Sequence, residues 1–571
     1  MSQLKKLNEY VNNPVNLDIN RSKFPRNSGF TATGQVGKLI PVYLDEIYPG
    51  DSVKMDFSFV HRLITPVAPT MGNLFIDFYW FFVPFRLCTK HADDWQKICG
   101  ENTSSFWADS NDYSLDNTGN SFNLAEIVED EISFDSVCSH HSLAEYLGVS
   151  CPFFKNSDGN ADLVFSNLRI NYMPFAGYYK IYNEWFRNEN YIAPVDPFSN
   201  STMFSIFHDS SILSSNRLPD YFTESLPAPQ KGDSVMLPLA GECPIVTTNN
   251  LHETQFPLKY GFGGSSDARY IGTSSIASTN TLTQSNSSSG HLNVTSNNLV
   301  AKLNEATSVN VNTLRELFAI QRLLEKQARG GSRYREILLS NYGVSVPDST
   351  IQIPEYLGGS RIPLNILQVT QMSSTQASSP LGSTGAMSIT SSNKHAFVKS
   401  FTEHGYLYCI ATVRPYVSYS QGINRLFLRN QRYDWYYPAL SNLGEMGVYK
   451  DEIYFTGSSK DPNNNSIFAY QPAWQDLRFK PNILAGEFVA GKKILGYQGL
   501  EAGSLTSWVY GFNANDQFSN NASFVNQGRA EVANTLIYDN ASYDFLIDIY
   551  FDSIYTRPLP LHSIPGLIDH H

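Results

Sequence analysis

The chain has 571 residues, 41 Lys and Arg against 53 Asp and Glu, a formal net charge of −12, and 16% charged residues beside 13% aromatics. That acidic balance excludes a protein whose whole surface grips phosphate, because each neutralised phosphate needs a nearby Lys or Arg. A surface this short of charge, against roughly 25% in an ordinary soluble domain, is expected to bury uncharged aromatic area against neighbours, since apolar area removed from water is worth about 25 cal/mol per Å².

No charged or Pro-rich hinge separates two self-sufficient cores, so residues 1–571 read as one unit with long insertions. Residues 1–40 form a basic N-terminal arm with six cations against Glu9 and Asp18. Lys5, Lys6, Arg21, Lys23 and Arg26 are its candidates for facing nucleic acid, the plain alternative being a solvated extension. The six cysteines form no CxxC pair and are too sparse for a disulfide framework, so they read as reduced thiols. The N-terminus lacks the apolar stretch of a secretory signal, and the longest apolar run, residues 78–85, falls far short of the roughly 20 residues a membrane helix needs. A protein made and kept in a cytoplasm, with no membrane insertion, is the expectation.

Residues 52–61 alternate, with Val53, Met55, Phe57 and Phe59 on one face and Ser52, Lys54, Asp56 and Ser58 on the other, which predicts a half-buried strand. Residues 74–85, LFIDFYWFFVPF, are apolar on both faces except for Asp77 and predict a strand sandwiched between two layers. Residues 543–555 repeat the theme, and the hexamers beginning at Phe75 and at Leu546 share an apolar-Ile-Asp-apolar-Tyr-aromatic pattern. Early and late strands of one kind, with the insertions between them, are the layout of a jelly roll.

Short helices fall in the intervening segments. Ser142 with Glu145 gives a capping box, closed by Gly148. Pro174 opens a second helix with Phe175, Tyr178, Tyr179, Tyr182 and Phe186 on one stripe. Residues 313–329 predict an amphipathic helix boxed by Thr313 and Glu316 and stopped by Gly330. Its basic face, running on to Arg333 and Arg335, suits phosphates or, more commonly, acidic neighbours. Residues 264–298 and 372–393 are Ser, Thr, Asn and Gly rich and predict loops.

Six strings carry a family likeness: DYFTESLPAPQKG at 220–232, ARGGSRYREILLSNYGV at 328–344, PEYLGG at 354–359, EHGYLYCI at 403–410, RYDWYYPALSNLGE at 432–445 and RPLPLHSIPGLIDHH at 557–571. In these the chain resembles the major capsid proteins of gokushoviruses, small icosahedral single-stranded DNA phages of the Microviridae. The resemblance implies a mainly β fold, an eight-stranded antiparallel jelly roll of viral capsid type with long loop and helical insertions. It also implies a T=1 shell around a circular single-stranded DNA genome. The partners it implies are further copies of the chain, a scaffolding protein, a minor pilot protein, a small basic DNA-binding protein and a bacterial host surface receptor. Residues 236–309 match the place of a surface protrusion at the threefold axes, where Asp267, Arg269, Tyr270 and His291 are receptor-contact candidates. Arg432, Tyr433, Trp435, Tyr436 and Tyr437 have the composition of interface anchors, ordinary core packing being the alternative.

Catalytic chemistry is not supported. Residues 32–39, ATGQVGKL, lack the first Gly and the last Ser or Thr of a phosphate-cradling loop, and no histidine cluster has metal-ligand spacing, so neither cofactor nor metal is expected. A carbohydrate-active jelly-roll enzyme or a lectin is the alternative from another class, sharing aromatic strands and polar loops.

Overall fold

A computed structural model describes residues 21–99, 119–123, 141–149, 153–155, 161–163, 169–233, 235, 245–247, 299–301, 311–373, 381–382, 384–455, 467–489, 508–514, 519, 521–537 and 543–562. The chain divides into a main unit, Met1–Pro229 with Ala328–His571, and an inserted unit, Gln230–Gln327.

The main unit is built on two antiparallel sheets. Their strands are β1 (Ser22–Pro25), β2 (Ser28–Gly34), β3 (Ile40–Ile47), β4 (Ser52–Leu63), β5 (Leu74–Pro84), β6 (Glu355–Pro363), β7 (Thr390–Ser400), β8 (Gly405–Pro415) and β9 (Phe545–Arg557). One sheet runs β1-β9-β4-β7 and the other β6-β5-β8-β3. β1 and β2 lie in succession along β9, from Ser22 opposite Arg557 to Gly34 opposite Phe545, and so act as one interrupted strand. The pairing is then nested: β1 and β2 with β9, β3 with β8, β4 with β7, β5 with β6.

Side-chain alternation explains how the sheets meet. Val53, Met55, Phe57 and Phe59 of β4 are buried, as are Phe545, Ile547, Ile549 and Phe551 of β9, whereas Leu546 and Tyr550 between them are exposed. Trp80 of β5 stands in the middle of the core between the sheets, its ring 5.6 Å from those of Tyr43 and Phe397, 6.0 Å from Phe57 and 5.9 Å from Phe551. β5 is buried on both faces, as its sequence predicts. Ile76, Phe78, Trp80 and Phe82 enter the core between the sheets, and Phe81 and Val83 enter a second core beyond it. That second core holds Tyr406, Tyr408 and Ile410 of β8 under the stripe Phe175, Tyr178, Tyr179, Tyr182 and Phe186. The stripe belongs to helix α2 (Met173–Ile181) and the π turn that continues it, Tyr182–Phe186.

The two matching hexamers lie in facing sheets, and their aspartates meet opposite fates. Asp548 is exposed and accepts a hydrogen bond from Thr31 Oγ1 at 2.7 Å. Asp77 is buried and holds Arg361 and Arg414.

Helix α1 (Leu143–Tyr146) has the expected Ser142 cap, whose hydroxyl accepts from the Glu145 N–H, and Gly148 follows at φ +91°. Helix α3 (Val311–Gly330) begins two residues before the expected box, so Thr313 lies inside it, and Gly331, not Gly330, takes the left-handed stop at φ +89°. Helix α4 (Tyr334–Tyr342) follows at once and ends on Gly343 at φ +70°. Among the described residues no helix is long and apolar enough to cross a membrane.

A third, smaller core joins Tyr221, Phe222, Val417, Tyr419, Val448, Ile453, Phe468 and Phe524 under the loops that follow β8. The hairpin Glu445–Tyr449 with Ile467–Pro472 stiffens it.

Candidate functional site

Beyond β8 the chain runs through short 3₁₀ turns, Arg425–Leu428, Arg432–Asp434 and Pro438–Leu440. Local chemistry sets them: Asn424 Oδ1 accepts from Leu426 N–H at 3.0 Å, Asp434 Oδ2 accepts from Asn430 and Gln431 N–H at 2.9 and 2.7 Å, and Pro438 opens the third turn. Turns this short have no buried face, so their large side chains stay outside. Tyr433 is 68% exposed, Trp435 49%, Tyr436 45% and Tyr437 43%. These interface candidates are therefore exposed on the single chain.

The surface they form is braced from beneath. Arg429 pairs with Asp476 and lies 5.8 Å from the Trp435 ring centre, and Arg432 lies 5.7 Å from that of Tyr433. Tyr436 meets Trp474 edge to face at 5.4 Å, and Trp474 Nε1 donates to the Leu440 carbonyl at 2.8 Å. Aromatics with arginines, held in place yet uncovered, are the composition of binding hot spots.

Next to this surface opens a groove of about 600 Å³, with Tyr221, Phe222, Tyr419, Phe427, Phe479 and Ile483 among its walls. Its floor carries the pair Arg425–Glu452 at 3.0 Å. Burial pushes the Glu452 carboxyl up, with Arg425 opposing, and burial likewise pushes up the Tyr419 hydroxyl, which donates to Asp220 Oδ2 at 2.7 Å. The groove's walls come from segments far apart in sequence, and no sequence signal marks it.

Of the basic arm, residues 21–40 take part in the sheets. Arg21, Lys23 and Arg26 are exposed at the end of β1 or beside it, and Arg26 pairs with Asp45 at 3.0 Å and lies 5.2 Å from the Tyr555 ring centre. Lys5 and Lys6 lie outside the described residues, as do Asp267, Arg269, Tyr270 and His291. Within 236–309 the described residues are Ile245–Thr247 and Leu299–Ala301, which pair as short antiparallel strands.

Three cations of the main unit, between Arg329 and Arg335, pair with carboxylates of that same unit. Arg329 pairs with Glu445, Arg335 with Asp348 at 3.4 Å, and Arg333 with Glu336 at 3.3 Å, while Arg333 also donates to the carbonyls of Asn183 and Arg187. These three arginines are thus structural. Among the described residues no group of three or more His, Cys, Asp and Glu could hold a metal ion.

A β-sandwich with aromatics displayed on braced loops presents the kind of surface through which proteins associate. The chain belongs to the phage capsid protein (F protein) family, whose model matches residues 14–567. It is 32% identical to capsid protein VP1 of Bdellovibrio phage phiMH2K over 563 residues, 96% of this chain and 95% of the relative. It is 31% identical to capsid protein VP1 of Spiroplasma virus 4, over 93% of this chain and 92% of the relative, and 29% identical to that of Chlamydia phage 1, over 96% of each. The chain is accordingly a structural protein of a Microviridae-type capsid and not an enzyme, and the carbohydrate-active alternative is set aside.

Proposed function

We propose that the chain is the major capsid subunit of a small single-stranded DNA phage, an eight-stranded jelly roll that closes with its own copies into a T=1 icosahedral shell around the circular genome. The observation that carries this reading is the nested pairing of all the sandwich strands in a member of a capsid-protein family. A long hairpin rolled into two sheets gives that order. The exposed aromatics from Tyr433 to Tyr437, with Arg432, are contact points between copies. The acidic balance suits a shell that touches DNA sparsely, through Lys5, Lys6, Arg21, Lys23 and Arg26, while a small basic protein neutralises most of the genome. A scaffolding protein and a pilot protein complete the assembly. Residues 236–309 form the protrusion at the threefold axes and bind the bacterial surface receptor through the stretch that holds Asp267, Arg269, Tyr270 and His291.

Electron microscopy of the chain co-expressed with its phage partners tests the shell: closed T=1 particles are expected, and a subunit that sediments only as a monomer under those conditions overturns the reading. Trimming residues 264–298 tests the protrusion. Intact particles with reduced adsorption are expected, and undiminished infectivity removes the receptor role.

A further inference from the structure

Two uncovered apolar features of the main unit match each other. The first is the groove beside the aromatic loops, where Leu426, Phe427, Leu477, Phe479 and Ile483 are each more than half exposed, Phe427 at 74%. Contiguous apolar area of this kind, rimmed by polar groups, marks a protein contact. Its two arginines are neutralised from within, Arg425 by Glu452 and Arg429 by Asp476. Lys480 also stands exposed on its lining, but the exposed apolar side chains outnumber it, and the occupant they favour is largely apolar. The second feature begins where β9 ends. Arg557 is anchored, Nε donating to Asp51 Oδ2 at 2.8 Å, and the chain leaves the sheet as Pro558-Leu559-Pro560-Leu561. Leu559 and Leu561 are 52% and 62% exposed.

We propose that the groove receives the Pro558–Leu561 segment of a second copy of the chain. Alternating prolines favour the extended polyproline conformation, which loses little entropy on docking and is recognised in grooves lined by aromatic rings. Phe427 and Phe479 supply exposed rings, with the buried Tyr221, Phe222 and Tyr419 of the third core behind them. Because both leucines are exposed in the single chain, the segment does not sit in its own groove. A head-to-tail contact of this type joins unlike surfaces and closes rings when repeated by rotation. The inference rests on the proposed shell, which provides the second copy.

The test is a chain carrying Phe427→Cys and Leu559→Cys, co-expressed with its phage partners and treated with a short bismaleimide. A ladder of linked subunits is expected on a denaturing gel, absent from either single substitution, each of which also controls for the exposed Cys99. Particles that form normally without the ladder overturn the docking and leave the shell reading intact. A synthetic peptide of residues 557–565 gives a second measurement on the unassembled, full-length subunit. Saturable binding, weakened about tenfold or more by Phe427→Ser, is expected, and no binding, or binding indifferent to that substitution, refutes the inference even where the cysteine variant fails to assemble.

Discussion

Asp77 of β5 lies diagonally across from Arg414 of β8, two residues beyond its direct partner Thr412, and takes the guanidinium of Arg414 on the same carboxylate that binds Arg361 of β6. One buried aspartate thus ties three neighbouring strands, with Arg414 Nη2 also donating to the Tyr79 hydroxyl at 2.6 Å. Removing one partner of a buried pair leaves the other charge uncompensated, which costs about 3–5 kcal/mol. Asp77→Ala is expected to lower the unfolding free energy of the unassembled subunit by that amount in chemical denaturation. Arg361→Ala should cost about 1 kcal/mol or less, since its side chain is 41% exposed and its pair is screened by water. Equal losses for the two substitutions would contradict the assignment of Asp77 as a buried centre.

His61 is buried against Phe545 at 4.9 Å with neither ring nitrogen hydrogen-bonded, and burial pulls its pKa down from 6.5 to about 3. Between those values the unfolded chain binds a proton that the folded chain refuses, so stability falls as pH drops from 6.5 toward 3 and is fully present above 6.5. His61→Leu should flatten that part of the pH profile, read from urea midpoints across the interval. An unchanged slope would show that other groups dominate acid unfolding.

Gly177 sits inside α2 where an added Cβ would come within 2.3 Å of the Tyr408 hydroxyl. That hydroxyl is fixed, donating to the Pro174 carbonyl at 2.6 Å from a fully buried ring. Gly177→Ala, usually stabilising in a helix, is expected here to cost about 1–3 kcal/mol through overpacking. Thermal unfolding of the subunit checks the sign.

Tyr433 and Trp435 can be changed without touching a core. Tyr433→Ser with Trp435→Ser should leave subunit stability within about 0.5 kcal/mol while reducing the yield of closed particles in sedimentation. Normal particle yield would remove these residues from the interface.

Deleting residues 1–20 leaves every sandwich strand in place, whereas deleting 1–26 removes β1, its ladder to β9 and the Arg26–Asp45 pair. The shorter deletion is expected to impair genome packaging with unchanged subunit melting, and the longer one to lower the melting temperature as well. Full particles in normal yield from the shorter deletion would deny the arm its role at the genome.

Strands β4, β5 and β9 are legible in the sequence because one-sided or two-sided burial writes itself directly into residue alternation. β6 is not, because Gly358 and Gly359 weaken the strand signal, yet Gly358 holds φ +132° at a bulge and a Cβ on Gly359 would meet the Phe78 carbonyl at 2.6 Å. The Asp77 centre is invisible for a different reason, since Arg361 and Arg414 lie hundreds of positions from it and only strand order brings them together. In the candidate site, the composition of residues 432–437 points to anchors, but whether they face in or out depends on the turns around Asn424, Asp434 and Pro438. The groove depends on tertiary contact alone, through pairs such as Arg429–Asp476.

The position of β9 has a consequence for timing. It occupies the middle of its sheet, between β4 and the paired β1 and β2, yet it spans residues 545–557 and leaves the ribosome after every other strand of the sandwich. Until then the nascent polypeptide has a gap at its centre and open strand edges on both sides of it, which invite pairing with the wrong chain. Only a translation product that extends through Arg557 can fill that gap, so molecules cut short of it lack the completed sandwich, and the order of synthesis itself filters what can join an assembly.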